Sequence, residues 1–222
     1  MQKSVFHAQT YNHLLHIPKH YEKQEKWPAI VYLHGVGGRG DYLEILKAHG
    51  LPALLDKQED FPFLVISPQC PEDQEWSFDR LGRLLDDAAR ELRIDRDRVY
   101  LTGIGTGATT AWRLAAAQPE RFAALAPVCG SGNAHEVCNL RDLPVWIFHG
   151  ARDRIYPVSE AQSLVLALKL CGGKVSATIY PEADHDSWTA TYGNPQLYAW
   201  FLEHDRSSFT EPAFDPVAEE ID

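Results

Sequence analysis

The sequence predicts a three-layer α/β/α sandwich around a mostly parallel sheet, on two observations. Short segments rich in β-branched and aromatic residues alternate with longer segments of helical period, which is how parallel strands with crossover helices read. The 222 residues, 45% of them hydrophobic and 23% charged, suit one compact domain with a sizeable core. That domain is expected over residues 1–204, with an acidic, proline-containing tail over 205–222 in which periodicity is lost.

Strands are expected at Asn12–Ile17, Ala29–His34, Phe63–Ser67, Val99–Gly103, Ala123–Cys129, Val145–His149 and Val175–Tyr180. Between them, Ser77 caps a segment in which Leu81, Leu84, Leu85, Ala88, Ala89 and Leu92 recur at helical spacing, with Asp86, Asp87 and Arg90 on the opposite face. Further helices are expected over Tyr42–Lys57, Ala108–Ala117, Ser159–Cys171 and Gln196–His204, each bounded by Gly, Pro or a capping residue. Each parallel strand pair needs a right-handed crossover, so these helices must cover both faces of the sheet.

The charge balance excludes several classes of function. With 31 acidic against 21 basic side chains the formal net charge is -10, a field that repels nucleic-acid phosphates and anionic lipid headgroups. No apolar run approaches the roughly 18–20 residues that span a bilayer, and Met1–Ala8 lacks the pattern of a secretory signal. A cytoplasmic setting is therefore expected. The four cysteines, Cys70, Cys129, Cys138 and Cys171, form no close pairs and read as reduced thiols. His16 and His20 have the spacing of helical metal ligands, but Pro18 between them argues against a helix there, and no metal site is expected.

Ligands of open parallel sheets bind beyond the carboxyl ends of the strands, so the residues just after each strand carry the chemistry. Four places stand out. His34-Gly35-Val36-Gly37-Gly38 offers inward-turning amides for an oxyanion, and Gly103-Ile104-Gly105-Thr106-Gly107 leads straight into a helix. Gly150-Ala151-Arg152-Asp153 and Asp184-His185-Asp186-Ser187-Trp188 supply an acid and a late histidine. Glycine-rich loop, strand–turn–helix elbow, Asp and His, in that order, are the parts of an acyl-transfer site.

These motifs, with Trp112 and the run from Gln118 to Gly130, resemble small carboxylesterases of the α/β-hydrolase superfamily. The branch is the one related to dienelactone hydrolases, polyhydroxybutyrate-depolymerase-like esterases and prolyl-oligopeptidase-like hydrolases. The likeness extends from about Tyr11 to His204. It implies a cofactor-independent hydrolase of small carboxylic esters in which Asp153 orients His185 and His185 is the general base. The amides of Thr106 and of Val36 or Gly37 would form the oxyanion hole, and Trp76 and Trp188 would line or support the pocket.

It also implies a serine nucleophile at the centre of G-x-S-x-G, where this chain has Gly105. That departure closes the acyl-enzyme route, so the chain as written is expected to be inactive or strongly impaired. Two origins fit: a replacement introduced into a working esterase, or a natural pseudo-hydrolase that binds an ester, acid or lactone without turnover. Glycine also relieves the strained backbone of an elbow, which favours the fold while removing the nucleophile. The hydroxyl of Thr106 is poorly placed to substitute, since the residue after the nucleophile offers its amide. Gly103 to Ala108 also fits a dinucleotide fingerprint, but Ala123, Ala124 and Leu125 stand where its acidic ribose ligand belongs.

Overall fold

In the computed structural model, which describes residues 2–58 and 60–208, eight strands form one sheet in the order β1-β2-β4-β3-β5-β6-β7-β8. The strands are β1 (Gln2–Val5), β2 (His13–His16), β3 (Trp27–Leu33), β4 (Leu64–Pro68), β5 (Ile94–Ile104), β6 (Ala124–Val128), β7 (Val145–Gly150) and β8 (Val175–Tyr180). From β4 through β8 all neighbours are parallel, whereas β1–β2 and β2–β4 are antiparallel. This is the α/β-hydrolase fold. The helices are α1 (Gly50–Leu55), α2 (Phe78–Glu91), α3 (Thr106–Ala117), α4 (Val158–Leu170), α5 (Trp188–Tyr192) and α6 (Pro195–Leu202).

The alternation along β3 explains the layering. Ala29, Val31 and Leu33 join a core with Leu81 and Leu84 of α2, Trp112 of α3 and Leu164 of α4. Ile30 and Tyr32 point the other way, into a second core with Leu51 of α1 and Leu197 and Phe201 of α6. Every residue of β3 is buried, as expected for a central strand covered on both faces. Ser77 caps α2 as the sequence indicates, its side chain accepting from the Arg80 amide at 3.3 Å.

Several expectations are corrected. Tyr42–Lys57 is not one helix: a 3-10 turn over Leu43–Ala48 stops at His49, and α1 restarts at Gly50 with φ +66. A side chain at Gly50 would collide with the Tyr32 ring, so the segment bends where only glycine passes. β1 was not expected, because its exposed, polar sequence carries little strand signal. The reduced-thiol reading fails for two of the four cysteines: Cys138 and Cys171, 33 residues apart in sequence, form a disulfide with Cα atoms 5.4 Å apart. The fold brings the end of α4 against the 3-10 turn over Val137–Leu140, a proximity that spacing alone does not reveal. Cys70 and Cys129 are free and buried. At the other end of the expected domain, Arg206–Ser208 form a further 3-10 turn, and 209–222 of the expected tail lie outside the described residues. No described helix is long and apolar enough to cross a membrane.

Three histidines, two on β2 and one at the end of β3, are buried, and burial pushes His13, His16 and His34 each down to about 4. Both ring nitrogens of His16 lack a hydrogen-bond partner, and its ring stands edge-on to Phe61 at 5.9 Å. All three are neutral in the fold and take up protons when the chain unfolds below about pH 6.5. Their contribution is therefore complete above the unfolded value and is lost as pH falls from about 6.5 toward 4. By pH 5 the loss is on the order of 1–2 kcal/mol for each histidine. Urea unfolding at pH 7.5 and pH 5 is expected to show this loss, and His16→Phe is expected to remove about a third of the difference.

Candidate active site

The elbow between β5 and α3 begins from a packing constraint. An added Cβ at Gly107 would overlap the carbonyls of Leu33 and His34, and one at Gly103 would lie 2.7 Å from the Gly107 carbonyl carbon. The two glycines let α3 start against the end of β3. Between them the backbone at Gly105 adopts φ 52, ψ -118, a conformation that residues with side chains enter only under strain. Its amide donates to the Val128 carbonyl at 3.1 Å, and its own carbonyl accepts from Thr109 at 3.0 Å. The turn is thus pinned to β6 on one side and to α3 on the other.

A Cβ at position 105 would meet ordinary van der Waals space, 3.5 Å from His185 Nε2 and 3.8 Å from its Cε1. His185 Nδ1 lies 2.8 Å from Asp153 Oδ2. Because the carboxylate only accepts, Nδ1 carries the proton, and the lone pair of Nε2 is left facing Gly105. Asp153 is buried at the end of β7, and burial pushes its carboxyl up. Hydrogen bonds from His185 and from the amides of Tyr156 and Ile155 outweigh that effect and hold it below its usual value. Close approach again needs a glycine: a side chain at Gly150 would overlap the carbonyls of Asp184 and Ala183, the residues that lead into His185.

The second glycine loop, Val36–Gly38, forms a 3-10 turn whose opening amides have no partner within the turn. His34 anchors it, donating from Nδ1 to the Gly35 carbonyl at 2.6 Å and accepting at Nε2 from the Cys70 amide at 3.0 Å. Val36, Gly37, Thr106, Gly105, His185 and Trp188 all line one cavity of about 270 Å³. The Trp188 ring stands perpendicular to that of His185 at 5.3 Å. Of the two tryptophans expected to line or support the pocket, Trp76 does not line the cavity and packs behind the loop on Tyr11 at 5.1 Å and His34 at 4.9 Å.

Two contributors escaped the sequence reading. His149 is buried at the end of β7 with Nε2 donating to the Tyr156 carbonyl at 2.7 Å and lying 3.5 Å from Asp153 Oδ2, so it braces the turn that holds the acid. Its position in Phe148-His149-Gly150, just before the glycine that precedes Asp153, was the available signal. The 3-10 turn before α1 supplies Ile45, Leu46 and His49 to the cavity, a placement invisible while that segment reads as one surface helix. The Cys129 thiol is buried, and burial pushes it up to about 12, while Thr106 opens α3 and lines the cavity.

The model of the dienelactone hydrolase family matches residues 51–196. The chain belongs to that family. Among solved structures it is similar to a thermostable esterase, at 29% identity and a TM-score of 0.74 over 92% of this chain and 63% of that one. An acylaminoacyl peptidase from Pyrococcus horikoshii superposes over 91% of this chain and 41% of its own, at 17% identity and a TM-score of 0.67. The ferulic acid esterase from Anaeromyces mucronatus shares 14% identity over 95% of this chain and 91% of its own, at a TM-score of 0.68. At those two identities the likeness is one of fold. The chain thus spans less than two thirds of the esterase and under half of the peptidase. No curated protein matched. Family membership and the shared fold place the chain in the α/β-hydrolase superfamily.

Two glycine substitutions separate backbone strain from packing. Gly105→Ala has room for its methyl but must hold a positive φ, and is expected to cost about 1–2 kcal/mol in urea unfolding. Gly107→Ala would drive a methyl into the β3 carbonyls and is expected to cost more than about 3 kcal/mol or to abolish soluble expression.

Proposed function

We propose that this is a carboxylic-ester site of the Ser–His–Asp kind in which Gly105 occupies the nucleophile's place, leaving the chain inactive or strongly impaired toward small esters. The observation that carries the reading is the 3.5 Å from His185 Nε2 to the point where a Cβ at 105 would sit, on a backbone already in elbow conformation. An Oγ one bond further out falls within hydrogen-bond reach of that nitrogen.

With serine present, the roles follow from the geometry. The hydroxyl oxygen bonds to the acyl carbon while its proton passes to His185 Nε2. The amides of Thr106 and of Val36 or Gly37 accommodate the oxyanion. The leaving alkoxide then takes the proton from Nε2, and water, activated by the same nitrogen, releases the acid. Throughout, Asp153 keeps the imidazole in the required tautomer and stabilises its charged form. With glycine, the space of the missing side chain is roughly that of one water, and only attack by such a water, with its proton going to His185, remains.

A second reading rests on the same position. An ordered Asp153–His185 pair beside a 270 Å³ cavity without a nucleophile also suits a pseudo-hydrolase that holds an ester, acid or lactone unchanged. The test is hydrolysis of p-nitrophenyl acetate and butyrate. Gly105→Ser is expected to raise kcat/KM at least about 10³-fold over the glycine chain, and His185→Ala in the serine background to return it to the glycine level. A folded serine variant as silent as the glycine chain would remove the triad reading and leave the binding one.

A further inference from the structure

We propose that the cavity takes a neutral, apolar ester of medium size and discriminates against esters that carry a carboxylate, an inference that rests on the ester reading above. No Asp, Glu, Lys or Arg lines the cavity. Its polar side chains are those of Thr106, Tyr32, Tyr156 and the three histidines His34, His49 and His185. Of these, His34 is occupied at both nitrogens by backbone, and His185 is committed to Asp153.

The remaining walls are apolar, formed by Ile45, Leu46, Ile104, Ile155 and Trp188 together with Val36. Eight large apolar side chains are exposed among the described residues, and three of them line this one cavity: Val36 at 70%, Ile155 at 65% and Ile45 at 41%. Such a concentration at one mouth marks a surface that a ligand covers.

Cations that border the site are engaged elsewhere. Arg39, next to Gly38, donates to the Gln74 carbonyl and pairs with Glu75, and Arg152 pairs with Glu182. Arg154 is exposed and contributes nothing to the lining. A carboxylate entering the cavity would therefore give up water for apolar walls without a cationic partner, inside a chain of net charge -10. The size follows from the volume: a cavity of roughly 150 Å³ accommodates benzene, so 270 Å³ has room for an acyl chain of about six to eight carbons or a ring on a short linker.

The glycine chain permits a direct test, because binding can be read without turnover. Ethyl hexanoate and monoethyl adipate have the same length and differ only in a terminal methyl against a terminal carboxylate. Calorimetric titration of the unaltered chain at pH 7.5 is expected to give at least tenfold tighter binding of ethyl hexanoate. Ile45→Arg, at an exposed wall position, is expected to narrow or invert that ratio by supplying the missing cation. Equal affinities, tighter binding of the adipate, or no binding of either ester would overturn the inference. The ester reading fails separately: tight binding of ethyl hexanoate with no hydrolysis by Gly105→Ser would leave an apolar binding cavity without the proposed chemistry.

Discussion

The close seating of α3 on the end of β3 is the constraint from which the rest of the site follows. Gly103 and Gly107 allow the helix to begin where any side chain would strike the backbone of Leu33 and His34. That seating forces residue 105 to turn sharply with positive φ, which aims its Cα substituent out of the sheet toward the loop that follows β8. The same contact sets the first amide of α3 opposite the Val36–Gly38 turn, since both leave the sheet from adjacent strands. Glycine at 105 holds this positive-φ turn without the strain a side chain would add. The turn at 105 thus keeps its shape with glycine in place, as the proposed nucleophile position requires.

A second dependence runs through Asp153. Its carboxylate is buried, and burial alone would favour the neutral form. Two backbone amides and His185 supply the hydrogen bonds that keep it charged, while His149 fixes the Tyr156 carbonyl on the far side of the same turn. The order of these interactions matters, because a charged acid selects the His185 tautomer, and the tautomer decides which nitrogen faces position 105. Gly150 brings the two loops into range, so the electrostatics of the pair rest on a backbone contact that no larger residue tolerates.

What was legible in the sequence and what was not divide along physical lines. Strand and helix periodicity located the parallel sheet and its crossovers, because strands buried on both faces and helices buried on one leave strong patterns. The residues after those strands pointed to Gly105, Asp153, His185 and two glycine loops; in the fold Gly105, His185 and Gly35–Gly38 line one cavity, and Asp153 lies behind His185, hydrogen-bonded to it. Features that depend on long-range packing left no local trace. The break at Gly50 is set by Tyr32 of β3, the bridge between Cys138 and Cys171 by the docking of α4, and the apolar wall at Ile45 by the turn that this break creates. Trp76, which the resemblance put at the pocket to line or support it, does not line the cavity but packs on Tyr11 and on His34, which holds the glycine loop.

If position 105 is the nucleophile site, as proposed, loss of chemistry there is separable from loss of the binding site. Serine at an elbow contributes little to substrate affinity, since its bond to the acyl carbon forms only as the reaction proceeds. In the proposed site the apolar walls act on the substrate before that step, whereas the oxyanion amides and the His185–Asp153 pair act during it. On the proposed reading, glycine in place of serine would subtract from the transition state and leave ground-state binding largely as it was, while easing the strained backbone at 105. Such a chain, on the proposed reading, keeps its preference among ligands while giving up turnover, because the walls of the cavity rather than position 105 set that preference.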